Sequence, residues 1–349
     1  MRTRSILAAA TAGAVVAALS AGPAQAAPAP IIQGLATPLS ISIDHGKIFV
    51  TQSFAGKLSR FDISGSGGTT LYQGKRGFGV GAVEAAGPGT LFAVSGRDKE
   101  GKKFTKLKHL AVDGTVTTRA DMREFERRFN PDGHVTYGLR TISDRCAAKV
   151  PEEVGDAYKG IVDSNPYATT VLRDGTAVVA DAAGNDIITV SPSGFRTEIA
   201  TLPAQPLKVT KAGAAAFGLP ACTLGHNYWF EPVPTDVELY NGKLYVSILP
   251  GGPEDPSLGA RGKVYTIDLD TREITRIGKG FAGATDLAVS PKGKVYVTEL
   301  FGNAVSTIKN GVRKKVFSVP APSAIEWQRG RLFVSQDTFE NGSIVKLTP

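Results

Sequence analysis

One phrase recurs along this chain: an apolar run, a tight turn with a glycine, and a second apolar run. It reads "LSISIDHGKIFVTQ" (Leu39 to Gln52) and "GAVEAAGPGTLFAVS" (Gly81 to Ser95). It returns as "ATTVLRDGTAVVAD" (Ala168 to Asp181), "TDVELYNGKLYVSI" (Thr235 to Ile248), "TDLAVSPKGKVYVTE" (Thr285 to Glu299) and "SAIEWQRGRLFVSQ" (Ser323 to Gln336). The turn glycines are Gly46, Gly89, Gly175, Gly242, Gly293 and Gly330. Two copies agree further: "RDGTAVVADAAGNDIITV" laid over "PKGKVYVTELFGNAVSTI" puts Asp181 on Glu299 and Gly184-Asn185 on Gly302-Asn303.

Each phrase predicts a hairpin, because short Val/Ile/Leu/Tyr/Phe-rich runs flank turns in which glycine supplies a positive φ. A third strand follows in most copies (Lys57 to Phe61, Asp186 to Val190, Lys263 to Ile267, Ala304 to Ile308, Ser343 to Leu347). A fourth follows in some, as in Phe195 to Thr201 and Lys314 to Val319. Four antiparallel strands repeated six times predict an all-β, six-bladed β-propeller. The rival is an open β-solenoid, which units of roughly 40 residues with four strands argue against. The last copy shows three strands, and Ala29 to Gln33 offers a spare one. Placed as the outer strand of the last blade, it would close the ring and cover an edge.

The first 26 residues are read as a leader: basic Arg2 and Arg4, apolar Ile6 to Ala21, and an Ala24-Gln25-Ala26 cleavage site. An uncleaved anchor is the alternative. Cleavage after Ala26 predicts export of a propeller spanning 27–349, with no transmembrane segment in the mature chain. The net charge of +8 is scattered rather than blocked, so nucleic acid is not expected as a partner. The chain has two cysteines, Cys146 and Cys222. In an exported chain an even pair suggests a disulfide; two buried thiols are the alternative.

The glycine spacings are uneven, and the excess lies at Ala120 to Val162 and Pro203 to Pro232. Both insertions fall between the outer strand of one blade and the inner strand of the next, so both should cap one face of the ring. Each carries one cysteine, so a Cys146–Cys222 bond would staple the caps together. In the first, "DMREFERRFNPDG" predicts a helix with Asp121 as N-cap, Glu124 three residues on, and Met122, Phe125 and Phe129 on one face. The second carries "GHNYWFEP", whose His226 and Trp229 either line a ligand pocket or belong to a small core under the cap.

Polar residues that reach the capped face are the candidates for chemistry. The inner-strand column reads Ser40, Ala82, Ala168, Asp236, Asp286, Ala324, and the second-strand column Gln52, Ser95, Asp181, Ile248, Glu299, Gln336. Asn165, Asn185 and Asn303 lie in loops on the same side. Converging carboxylates repel unless protonated or bridged by a cation. An all-oxygen set at Asp236, Asp286 and Glu299 suits Ca²⁺ or Mg²⁺. The competing reading is that Asp181 and Glu299 satisfy loop N–H groups. Nucleophilic catalysis has no G-x-S-x-G elbow to support it, and "GSGG" at Gly65 to Gly68 opens no helix for a phosphate.

The stretches "DMREFERRFNPDG", "DSNPYATTVLRDGTAVVADAAGNDIITVSPSG" (Asp163 to Gly194) and "VPTDVELYNGKLYVSILPGGPEDPSLGARGKVYTID" (Val233 to Asp268) resemble the ScyD/ScyE family of exported bacterial propellers, across essentially the whole mature chain. The resemblance implies a secreted NHL-like propeller and no settled activity. The enlarged caps, with Cys146, Cys222 and "HNYWF", depart from the family pattern and bear on any shared ligand. The expectation is a monomeric, non-catalytic binding protein for a protein, glycan or small molecule. The alternative is a divalent-metal-dependent hydrolase resembling the gluconolactonase-type propellers, with Glu299, Asp236 or Asp286, and Asn165 or Asn303 about the ion.

Overall fold

The six phrases fold as the hairpins they predict. The computed structural model describes residues 28–253 and 256–349. The predicted leader, Met1 to Ala26, lies outside the described residues. Among the described residues there are seven four-stranded antiparallel sheets. Six follow the repeat. The first is Ile41–Asp44, Lys47–Gln52, Lys57–Asp62 and Thr69–Gln73; the second is Gly79–Ala86, Gly89–Arg97, Lys103–Ala111 and Val116–Asp121. The third is Pro166–Val171, Ala177–Asp181, Asp186–Val190 and Arg196–Thr201. The fourth is Pro234–Tyr240, Lys243–Ile248, Gly262–Asp268 and Ile274–Phe281; the fifth is Ala284–Val289, Val295–Glu299, Ala304–Lys309 and Val312–Ser318. The last takes Ile325–Gln328, Arg331–Gln336 and Gly342–Leu347, and its outer strand is the N-terminal Pro30–Leu35. Pro30 lies opposite Val345 and Leu35 opposite Gly342. The spare strand thus covers the edge that the C-terminal strand would expose.

The first strands of successive blades touch in order, and the last touches the first, so the blades form a closed ring about a central channel. Faces of neighbouring blades bury apolar side chains against each other. Val178, Ile187 and Leu202 of blade three pack with Val237, Val246 and Ile267 of blade four. Because both blade faces are covered, the strand Ala177–Asp181 is buried at every position.

Five of the six turn glycines do hold positive φ, from 73° at Gly46 to 82° at Gly175. Blade two differs: its left-handed turn residue is Gly87, and Gly89 is required for space, since a Cβ there would run into the His109 ring.

The two insertions do more than loop over the face. Thr136–Gly138 and Ala157–Lys159 from the first join Gln205–Lys208 and Asn227–Phe230 from the second in a single sheet. The caps are therefore one body built from two segments, and Cys146 and Cys222, 76 residues apart, are disulfide-bonded within it. Helix α1, Met122–Phe129, is capped by Asp121, whose side chain accepts from Glu124 N. Met122 and Phe125 enter the core between blades two and three. Phe129 does not: it is 59 % exposed and lies on Phe125 with ring centroids 5.0 Å apart. Asn130, in the left-handed conformation, ends the helix directly after it. Among the described residues no helix is long and apolar enough to cross a membrane.

Candidate functional site

The inner-strand column of polar residues turns out to join blade to blade. Inner strands of neighbouring blades do not share a backbone ladder, so side chains bridge them. Ser40 Oγ accepts from Val83 N at 3.1 Å, Asp236 Oδ2 from Leu287 N at 3.0 Å, and Asp286 Oδ2 from Ile325 N at 3.2 Å. In each case the donor is the residue after the next blade's column position. The residue before the column donates in return: Thr235 Oγ1 to Ala284 O at 3.0 Å, and Ser323 Oγ to Pro38 O at 2.8 Å. The repeated Thr-Asp of blades four and five is thus a two-bond staple between blades.

Asp236 and Asp286 also bond to each other. Burial drives both upward, Asp236 to about 7 and Asp286 well above its ordinary range, the charge of Asp236 adding to that rise. Three acids that the sequence reading missed stand nearby: Glu84, Glu238 and Glu326. Each lies two residues beyond a column position, on the same strand face. Burial pushes Glu84 to about 8, although Ser42 Oγ donates to it at 2.9 Å. Glu238 and Glu326 are raised well above the carboxylate range, by burial first and by their acidic neighbours next. The signal that would have found them is the period of two carried one step deeper along each inner strand.

Asp181 and Glu299 do not join this group. Asp181 is 0 % exposed and accepts from Ser164 Oγ at 2.6 Å and from the backbone N of Asn165, Ala183 and Gly184. Glu299, also fully buried, accepts from Ala282 N at 2.7 Å and from Ser306 Oγ, and pairs with Arg313 at 3.5 Å. Four converging carboxylates are therefore reduced to the pair Asp236 and Asp286, and the trio with Glu299 is not assembled. Among the described residues no group of three or more His, Cys, Asp or Glu is disposed to hold a metal ion.

The Gly-Asn repeat has a matching explanation. Asn185 and Asn303 both adopt left-handed φ, 59° and 46°. Asn185 Oδ1 accepts from Val233 N at 3.1 Å and Asn303 Oδ1 from Ala321 N at 2.8 Å, each pinning the chain that leads into the next blade. Asn185 adds a bond from Nδ2 to Asp132 Oδ2 at 2.8 Å, so it holds both insertions to blade three.

On the cap, His226 Nδ1 lies 3.0 Å from Thr141 Oγ1, joining the two insertions. Trp229 pairs with Gly138 and Pro206 in the cap sheet and carries the Arg140 guanidinium 4.1 Å from its ring centroid. Tyr228 packs on a small core of Leu139, Val209 and Ala214. The aromatic cluster belongs mainly to the core that holds the cap together.

Asn165 is exposed and borders an open cleft of about 540 Å³ between blades two and three. Its wall carries Arg76, Arg97 and Lys103 around the edge-to-face pair Phe78 and Phe104, 5.0 Å apart. Lys103 is paired with Asp163 at 2.9 Å, and Arg97 donates to Gly101 O at 2.7 Å. The predicted acids Asp181, Asp236, Asp286 and Glu299 are thus buried, and basic and aromatic side chains line this cleft together with Asp163.

The fold and these inner-strand contacts define a β-propeller protein. Among solved structures, a putative glucose dehydrogenase from Thermus thermophilus superimposes with a TM-score of 0.54 at 13% identity, covering 91% of this chain and 99% of that one. The soluble aldose sugar dehydrogenase of Escherichia coli gives 0.53 at 12% identity, covering 92% and 99%. Virginiamycin B lyase from Staphylococcus aureus gives 0.46 at 15% identity over 90% and 96%. No family model matches the sequence, and no curated protein matches it. Identities this low carry the fold alone.

Proposed function

We propose that this chain is an exported propeller of the ScyD/ScyE type that binds a ligand without transforming it, at the cleft between blades two and three. The observation that carries this reading is how the polar groups are distributed. The acids that sequence singled out on the propeller, and Asn185, are engaged with backbone or side-chain partners, and Asn303 holds Ala321 N at an exposed turn; Asn165 alone of these has an open side chain at the cleft. What stays open to a ligand is the basic, aromatic cleft wall. The guanidinium forks of Arg76 and Arg97 favour carboxylates or phosphates, and the Phe78–Phe104 edge favours a ring face. The ligand class is an anionic glycan or ring-bearing carboxylate. A disulfide in the cap suits an oxidising compartment and so supports export.

The metal-dependent hydrolase reading draws less support. Glu299 and Asn303 would have to release Ala282 N, Ser306, Arg313 and Ala321 N before they could ligate an ion.

Calorimetric titration with uronate oligosaccharides and aryl carboxylates tests the proposal, with the Arg76→Ala/Arg97→Ala variant beside the native protein. Both arginines are exposed, so the variant should fold normally. Saturable binding that the variant loses, with the ligand recovered unchanged, is expected. Absence of binding across the panel, or a ligand chemically altered on incubation, would overturn it.

A further inference from the structure

Beneath α1 lies a second acidic group. Glu126, Asp132, Asp181 and Asp186 come from the helix, the turn after it and blade three, and all four are 0 % exposed. Asp181 is satisfied by its own loop, as described above. Asp132 Oδ2 accepts from Tyr137 at 3.0 Å and from Asn185 at 2.8 Å. The remaining oxygens have no donor: both of Glu126, both of Asp186, and Oδ1 of Asp132. The neighbouring cations are engaged elsewhere, Arg123 and Lys103 each with Asp163, at 2.6 and 2.9 Å.

Gly184 shows where the two unpartnered side chains aim. Its φ is not in the left-handed region, so backbone freedom does not explain it. A Cβ built there would stand 2.7 Å from Glu126 Oε1 and 3.0 Å from Asp186 Oδ1. Oxygens from two separate elements therefore converge over a position that carries no side chain.

A buried carboxylate oxygen without a donor is costly, and removing charge from such a cluster takes either protons or a cation. Burial and mutual repulsion raise Glu126 to about 8 and Asp186 well above its ordinary range. Protons on Glu126 and Asp186 would turn two of the five oxygens into hydroxyls that serve at most two others, so protons satisfy the set only if each O–H finds an acceptor within it. A hard divalent cation engages both oxygens of a carboxylate at once and cancels two charges. An all-oxygen donor set selects Ca²⁺ over Zn²⁺.

We propose that Glu126 and Asp186 together bind one Ca²⁺ ion, completed by backbone carbonyls and water, which clamps the first insertion onto blade three. Two carboxylates are the whole acidic contribution, consistent with the lack of any ready three-residue group among the described residues. The site is distinct from the Asp236, Asp286 and Glu299 positions and independent of the cleft.

The test is Ca²⁺ titration of the metal-stripped full chain by calorimetry and thermal unfolding, with Mg²⁺ as comparison. Expected are about one ion per chain and a rise in Tm. Glu126→Gln and Asp186→Asn should each weaken binding by about 100-fold or more. Asp286→Asn, in the channel, should leave it intact. Because the two variants remove charge, each should fold without metal at least as well as the native chain. Binding retained in both variants would overturn the site. So would the absence of any Ca²⁺ effect while Glu126→Gln raises Tm, which would assign the cluster to shared protons.

Discussion

Asn185 and Asn303 occupy the same place in the same phrase and differ in what surrounds them, which makes them a matched pair. Replacing either with glycine keeps the left-handed φ available and removes only the side chain. At Asn185 the loss is a hydrogen bond to the Asp132 carboxylate, about 1.5–3 kcal/mol, and the acceptor of the Val233 N–H, about 1–3 kcal/mol more. At Asn303 the loss is one bond at an exposed site, about 0.5–1.5 kcal/mol. Asn185→Gly should therefore cost about 3 kcal/mol more than Asn303→Gly, which corresponds to roughly 1 to 1.5 M in urea midpoint. The two tryptophans make the assay local: Trp229 lies in the cap sheet and Trp327 in the last blade, stacked on Tyr296. In a Trp327→Phe background, fluorescence reports the cap alone. The Trp229 transition should move to lower urea in Asn185→Gly and stay near its native midpoint in Asn303→Gly. Equal shifts in the two variants would refute the claim that Asn185 ties the insertions to blade three.

Two further predictions concern the staple and the channel. The Cys146–Cys222 bond closes a 76-residue separation, for which loop-closure entropy gives a ceiling of about 4.5 kcal/mol. Cys146→Ser/Cys222→Ser should lower the Trp229 urea midpoint more than the Trp327 midpoint, and an unchanged cap transition would contradict the stapling role. Glu84 is raised from 4.5 to about 8 mainly by burial, so the folded state holds a proton the unfolded chain releases. Its contribution to stability is full below about pH 4.5 and lost as pH rises to about 8, at about 1.4 kcal/mol per pH unit within that window. With chelator present, urea midpoints measured from pH 5 to 8 should fall, and fall less steeply in Glu84→Gln. A midpoint that climbs over that range, or a variant with the native slope, would count against it.

The blades were legible because each needs the same local message: two apolar runs, a left-handed turn residue, and a third strand. Ring closure by Pro30–Leu35 was legible too, from a missing strand at one end and a spare at the other. The joint cap sheet was not. Its strands are three or four residues long, and its central pairing, Gly138 with Trp229, spans about ninety positions with no repeat to mark it. Met122, Phe125 and Phe129 share a helix face as their spacing predicts, but the spacing does not say how far the core covers that face.

The acids show a sharper limit. Asp181, Asp236, Asp286 and Glu299 look alike in the columns, yet two serve their own loops and two reach into the next blade. The difference depends on which N–H group each side chain meets, and for Asp236 that group is 51 residues away. A repeat reveals the positions it shares and hides partners that change from blade to blade. The residues with unmet needs therefore lie where the repeat breaks. Asn185 has a partner that Asn303 lacks, and that partner, Asp132, comes from an insertion. Glu126, the most fully unpartnered acid of the cap, comes from the same insertion and faces the same turn. Blade three is thus both an ordinary member of the ring and the base for the one part of the molecule that the ring does not require, and a binding role particular to this chain is best sought at that junction.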